Sequence, residues 1–165
     1  MTVTYEKIAT TTLGSNTNTV TFSSISGSYT DLRLVETSRL TGAAHSNMRF
    51  NSDTGSNYSG TNLSGNGTSA SSGRGTNTTA LFYGSTDGQG AVNNYTQVIW
   101  DVMNYSNTTT YKTALVRASQ ALTESTTAVG LWRNTAAITS ITLFPTNSKD
   151  FITGSTFTIY GIKAE

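Results

Sequence analysis

Apolar and polar residues alternate along this chain in short runs with a period of two, the period of a β-strand. In TNTVTFSSI, Val20 and Phe22 alternate with Thr19 and Thr21, as a strand with one wet face requires. In TDLRLVETSRL, Leu32 and Leu34 fall on one side, while Arg33, Val35, Thr37 and Arg39 fall on the other and are expected to meet solvent or a partner. NNYTQVIWDVMNY sets Tyr95, Ile99 and Met103 against Val98, Trp100 and Val102. That pattern predicts burial on both faces for part of its length, in a central strand or in one that faces the core on one side and a neighbouring subunit on the other.

Further strands are predicted near TYEKIATTTL, from TALFYG, and in TTAVGLWRN, TSITLFP and GSTFTIYGIKA, with Pro145 placed to end its run. Helix competes only in TYKTALVRASQALTE, where Ala, Leu, Arg, Gln and Glu are good helix formers. The preceding SNTTT turn and the alternation of Tyr111, Thr113 and Leu115 predict a strand there instead. Between Ser52 and Asn77 the pattern lapses, with Tyr58 and Leu63 almost the only apolar residues. This stretch is expected to be a long loop rich in Ser, Gly and Asn, or a loose hairpin, that orders itself against another chain. About eight to ten strands at this spacing predict an all-β, antiparallel two-sheet β-sandwich, jelly-roll-like, as a single domain over residues 1–165. No βαβ alternation is present to build a nucleotide-binding parallel sheet.

Composition changes this picture little but sharpens it. Only 12% of the residues are charged, so solubility rests on Thr, Ser, Asn and Gly, which suit pleated strands and turns. The 10% aromatic content argues for a packed core rather than disorder. A formal charge of +1 from scattered basic residues removes the usual warrant for nucleic-acid binding. No apolar run is long enough to cross a bilayer, and MTVTYEKIAT lacks the blocks of a signal peptide, so no membrane partner is expected. Cysteine is absent, which excludes disulfides, thiolate metal sites and a cysteine nucleophile. The sequons at Asn57, Asn62, Asn66, Asn77, Asn104 and Asn107 follow from the abundance of Asn, Ser and Thr.

The inventory for catalysis is thin. His45 is the only histidine and has no adjacent carboxylate, so neither a triad nor a three-ligand zinc centre assembles from it. Glu6, Asp31, Glu36, Asp53, Asp87, Asp101, Glu124, Asp150 and Glu165 are the acids from which a glycosidase pair would be drawn. FNSDTGSNYSG spaces Asn51, Asp53 and Asn57 around Gly55 as a calcium loop does, but the twelfth position counted from Asn51 is Asn62 where a bidentate Glu is needed. A polar turn is the stronger reading. STDGQG, from Ser85 to Gly90, lacks the Lys and the helix of a phosphate-binding loop, and SGRGTN around Arg74 is a loop with one charge. Trp100 and Trp132 lie within strand patterns, where packing outweighs a sugar-stacking role. No cofactor or metal is expected, and the chain reads as a non-enzyme.

The order of YEKIATTTL, YTDLRLV, MRFNSDTGSNYS, VGLWRNTAAITSITLF and GSTFTIYGIKA resembles that of virion structural proteins of tailed, cyanophage-like bacteriophages. The resemblance runs over nearly the whole chain and carries no catalytic residues; the Ser52 to Asn77 stretch departs from it. It implies a capsid decoration, or cement, protein made in the host cytoplasm and carried on the virion, with tail or tail-fibre location and binding of a host receptor or surface glycan as the alternative. The implied partners are copies of itself, most simply a trimer, and the major capsid protein or tail proteins. Arg33, Arg39, Arg49, Tyr58, Arg74, Trp132 and Arg133 are the expected contact residues, because aromatic and arginine side chains dominate interface hot spots.

Overall fold

The computed structural model describes residues 4–82 and 94–163. These residues form strands and turns with no helix among them: β1 (Tyr5–Thr12), β2 (Val20–Phe22), β3 (Asp31–Ser38), β4 (Ser46–Phe50), β5 (Tyr58–Gly65), β6 (Ala70–Thr78), β7 (Thr96–Met103), β8 (Lys112–Gln120), β9 (Glu124–Trp132), β10 (Ile141–Pro145) and β11 (Thr156–Ile162). All pairings are antiparallel, in an eight-stranded sheet of order β1-β11-β3-β7-β8-β9-β5-β6 and a three-stranded sheet of order β2-β10-β4. The strand reading of TYKTALVRASQALTE is borne out by β8 and β9. STDGQG lies outside the described residues, as does the end of TALFYG.

Alternation explains where the core sits. In the small sheet, Phe22, Ile141 and Phe50 stand side by side in register, as do Val20, Leu143 and Met48, and all are buried. Facing them on the large sheet is a row running Ile159, Leu34, Trp100, Val116, Ala128, each less than a tenth exposed. One continuous hydrophobic cluster draws on both rows, so the fold is a sandwich-like pair of layers with a single core between them.

The adjacent inner row shows why this sequence needs glycine in its strands. It runs Gly161, Leu32, Val102, Ala114, Gly130, Gly60, Gly75 across the large sheet. A Cβ on Gly130 would lie 2.5 Å from Leu81 Cδ2, and one on Gly75 would collide with the Phe82 ring. The segment carrying Leu81 and Phe82 therefore lies flat over the large sheet where a side chain is missing. Leu81 also exchanges backbone bonds with Met48 (2.8 and 2.9 Å), which fastens that segment to the edge of the small sheet.

The polar stretch from Ser52 to Asn77, expected as a long loop or a loose hairpin, is a paired hairpin that holds β5 and nearly all of β6. β5 pairs with both β9 and β6, so β5 and β6 form a hairpin that widens the large sheet, with β6 as its exposed edge. The hydrophobic alternation is missing because the outer part of the hairpin extends past the core, so its residues from Gly65 to Arg74 are exposed on both faces and need no apolar side chains.

Candidate functional site

The surface best suited to contact is the outer face of the large sheet, away from the core. Its central row runs Lys7, Tyr160, Arg33, Asp101, Leu115, Val129, Thr61, Arg74, with each residue directly opposite the next. The row beside it runs Thr158, Val35, Ile99, Arg117, Thr127, Leu63, Ser72. Because side chains on one face of a sheet stand about 5 Å apart across strands, these rows make a continuous surface.

That surface divides into a charged half and an apolar half. In the charged half, Arg33 Nε donates to Asp101 Oδ1 at 2.5 Å, and Arg117 Nη2 lies 3.4 Å from Asp101 Oδ2. Asp101 is only 8% exposed, so its charge is spent on two flanking guanidinium groups. The bond to Asp101 raises the pKa of Arg33 despite partial burial. Tyr5 stacks on Tyr160 with ring centroids 4.7 Å apart, and Arg33 reaches to 6.0 Å of the Tyr5 ring.

In the apolar half, Leu115 and Val129 are a direct cross-strand pair, 45% and 43% exposed, and Leu63 on the diagonal from Val129 is 55% exposed. Ile99 and Leu131 extend the same patch. A groove of about 530 Å³ lies to one side of the patch, sharing Leu63 and Ile99 with it and lined also by Arg117, Ser119, Ser125 and Thr127. Exposed apolar side chains are ordinary when scattered, but a contiguous group on a sheet face is the kind of surface that a partner covers.

Of the contact residues expected from sequence, Arg33 and Arg74 lie on this face in one row, Arg33 on β3 towards its middle and Arg74 at its β6 end. Arg49 belongs to the small sheet, where its Nε donates to the Thr79 carbonyl and its guanidinium lies 4.2 Å from the Phe144 ring centre. Arg39 follows β3, with its guanidinium 5.8 Å from the Tyr95 ring and its Nε buried without a partner. Arg133 follows β9 and donates to Ser56 O and Asn77 Oδ1, tying the turn before β5 to the end of β6.

Tyr58 and Trp132 require correction, because both are core residues, 0% and 1% exposed. They pack with Phe50 in an aromatic trio whose centroids are 5.5 to 6.4 Å apart. Neither reaches anything outside the chain. Trp100 is likewise fully buried.

FNSDTGSNYSG is a turn that anchors this trio. Asp53 Oδ2 accepts from Trp132 Nε1 at 2.7 Å and from Asn57 Nδ2 at 2.9 Å, and Oδ1 accepts from Gly55 N at 2.8 Å. Burial works against the charged carboxylate, but these donors together outweigh it and hold Asp53 below its ordinary pKa. Asn51 Oδ1 accepts from Thr139 N and Ser140 N, and its amide donates to Ala137 O at 2.8 Å. The oxygens that a cation would use are thus engaged by the chain itself. Among the described residues no three His, Asp or Glu side chains converge to hold a metal. His45 is half-buried, its backbone paired with Thr146 at the start of β4.

Comparison with protein-family models, with curated proteins and with solved structures finds no match.

Asp101, Leu63, Leu115 and Val129 were not singled out from sequence as contact residues. A usable signal existed in KTALVRASQ: the alternating set Ala114, Val116 and Ala118 fills the core side, which forces Leu115 outward.

Proposed function

We propose that this chain is a structural module of a virus particle, a capsid decoration protein whose large sheet packs its outer face against neighbouring subunits. The observation that carries the proposal is the contiguous exposed patch of Leu63, Leu115 and Val129, flanked by Arg33 and Arg117. Covering such a patch releases about 25 cal/mol for each Å² of apolar surface removed from water. The arginines beside it would give the contact register and direction. The segment resemblance to tailed-phage virion proteins supplies the setting, and a closed cyclic oligomer, a trimer in the simplest case, lets one patch serve every copy.

A jelly-roll arrangement belongs to the same proposal. In its favour, β11 lies between β1 and β3, and β10 between β2 and β4, so strands distant in sequence are interleaved in both layers. The mechanism is mechanical: a subunit that binds the mature shell and not its precursors stabilises the mature state by mass action.

Immunolabelling of intact phage particles tests the proposal. Many copies spread over the head are expected; a few copies at the tail would favour the adhesion reading, and absence from the particle would overturn both. Tyr58 and Trp132 are enclosed, so any glycan contact under the adhesion reading would fall to other residues.

A further inference from the structure

The tip of the β5–β6 hairpin, Gly65-Asn66-Gly67-Thr68-Ser69-Ala70, holds an exposed Asn-Gly step beyond the Leu63, Leu115 and Val129 patch. Asn66 and Gly67 are exposed, and this is the one Asn-Gly step in the chain. Asn66 Oδ1 accepts from Thr68 N (3.0 Å), Ser69 N (2.9 Å), Thr68 Oγ1 (2.9 Å) and Ser69 Oγ (3.3 Å). Gly67 has a φ of +88°, and open space surrounds the position a Cβ would take. Among the described residues, its N–H and the Asn66 Nδ2 make no hydrogen bond. The nucleophile and the leaving group are therefore both free, while the oxygen between them is surrounded by donors.

We propose that Asn66 is a site of spontaneous backbone modification, converting to aspartate and isoaspartate through a succinimide. The Gly67 backbone nitrogen, losing its proton to base, attacks Asn66 Cγ; a new C–N bond forms and the carbonyl electrons move onto Oδ1. The donors on Oδ1 stabilise that developing negative charge, as an oxyanion hole does. The Cγ–Nδ2 bond then breaks, and the nitrogen leaves as ammonia after taking up a proton. Water opens the ring at either imide carbonyl, restoring a normal peptide link with an aspartate side chain or leaving an isoaspartate link. No oxidant or cofactor enters the balance. Each product adds a negative charge to a hairpin tip that has none, and isoaspartate lengthens the main chain between β5 and β6.

Asn107 provides a control within the same molecule. Its Oδ1 accepts from Thr109 N (2.7 Å), Thr110 N (2.9 Å) and both threonine hydroxyls in the same pattern, but the residue that follows is Thr108, whose branched Cβ crowds the attacking nitrogen.

The test is to incubate the folded full chain in mildly alkaline buffer and follow ammonia release together with peptide mass spectrometry. Expected is the mass gain of amide-to-acid exchange at Asn66, faster than at Asn107 by about tenfold or more, rising with pH, and accompanied by isoaspartate. Gly67→Ala and Asn66→Gln should each suppress the change while leaving far-UV circular dichroism unaltered. An Asn66 that stays intact in the folded chain while reacting in the urea-unfolded chain would overturn the proposal, because the turn would then hold Cγ away from Gly67. Equal rates at Asn66 and Asn107 would overturn it as well.

Discussion

Asp53 and Glu36 are both enclosed by donors, yet their environments push them in opposite directions. For Asp53 the donors win and the folded pKa is depressed, so its contribution is present above the unfolded carboxylate range, near 3.9, and is lost as pH falls through the folded value. Asp53→Asn should cost about 1–3 kcal/mol near neutral pH in chemical denaturation, and should flatten the acid limb of the stability profile. Glu36 is 0% exposed; burial raises its pKa more than the bonds from Ser38 Oγ (2.5 Å) and Ser46 Oγ (2.9 Å) lower it. Trp100 Nε1 faces the same carboxyl without reaching hydrogen-bond geometry. With the folded pKa above the unfolded one, the stabilisation is complete below about 4.3 and declines as pH rises toward the folded value. Glu36→Gln should remove that decline, so the variant and the parent should diverge in melting temperature as pH rises. A parent whose stability increases steadily over the same range would contradict the assignment.

At the scale of elements, β5 and β6 carry the lesson about what the chain reveals. β3, β7, β10 and β11 were legible because they lie over the core, where alternation must place Leu34, Trp100, Leu143 and Ile159 inward. The sequence left the hairpin open against a loop because most of its outer part is wet on both faces, and its inner face uses glycine at Gly60 and Gly75 so that Leu81 and Phe82 can cross. A glycine demanded by a neighbour in space looks in sequence like a loop glycine. Glu36 continues the inward set of Leu32 and Leu34 in β3, so its burial follows from the alternation although its charge argues against it. Gly130→Ala therefore should destabilise by about 1–3 kcal/mol through overpacking against Leu81. Thr127→Ala, on the exposed outer face of the same strand, should change stability by no more than about 0.5 kcal/mol. Denaturation midpoints measured at unchanged m-value decide between them; equal effects would show that the crossing segment does not press on the sheet.

For the whole molecule, the arrangement pairs a well-filled inner layer with an outer face that is half charged and half apolar. The contact residues expected from sequence were chosen by type, and type alone does not separate Tyr58 and Trp132, which fill the core, from Arg33 and Arg74, which face outward. Leu115 and Val129 became candidates only when pairing set them side by side. The large sheet also presents β6 as a long edge with exposed backbone on its outer side, whereas β1 at the opposite edge is broken by a register shift between Lys7 and Ala9. The unpaired side of β6 is thus the more regular of the two edges.

Sedimentation velocity of the purified chain, alongside Leu115→Asp combined with Val129→Asp, tests the role of the outer face most directly. Expected are a discrete oligomer for the parent and a monomer for the variant that keeps the parent's far-UV circular dichroism, with a lower unfolding midpoint in the variant because the facing aspartates repel and the oligomer is lost. A parent that stays monomeric at every concentration, or a variant that assembles as well as the parent, would contradict it.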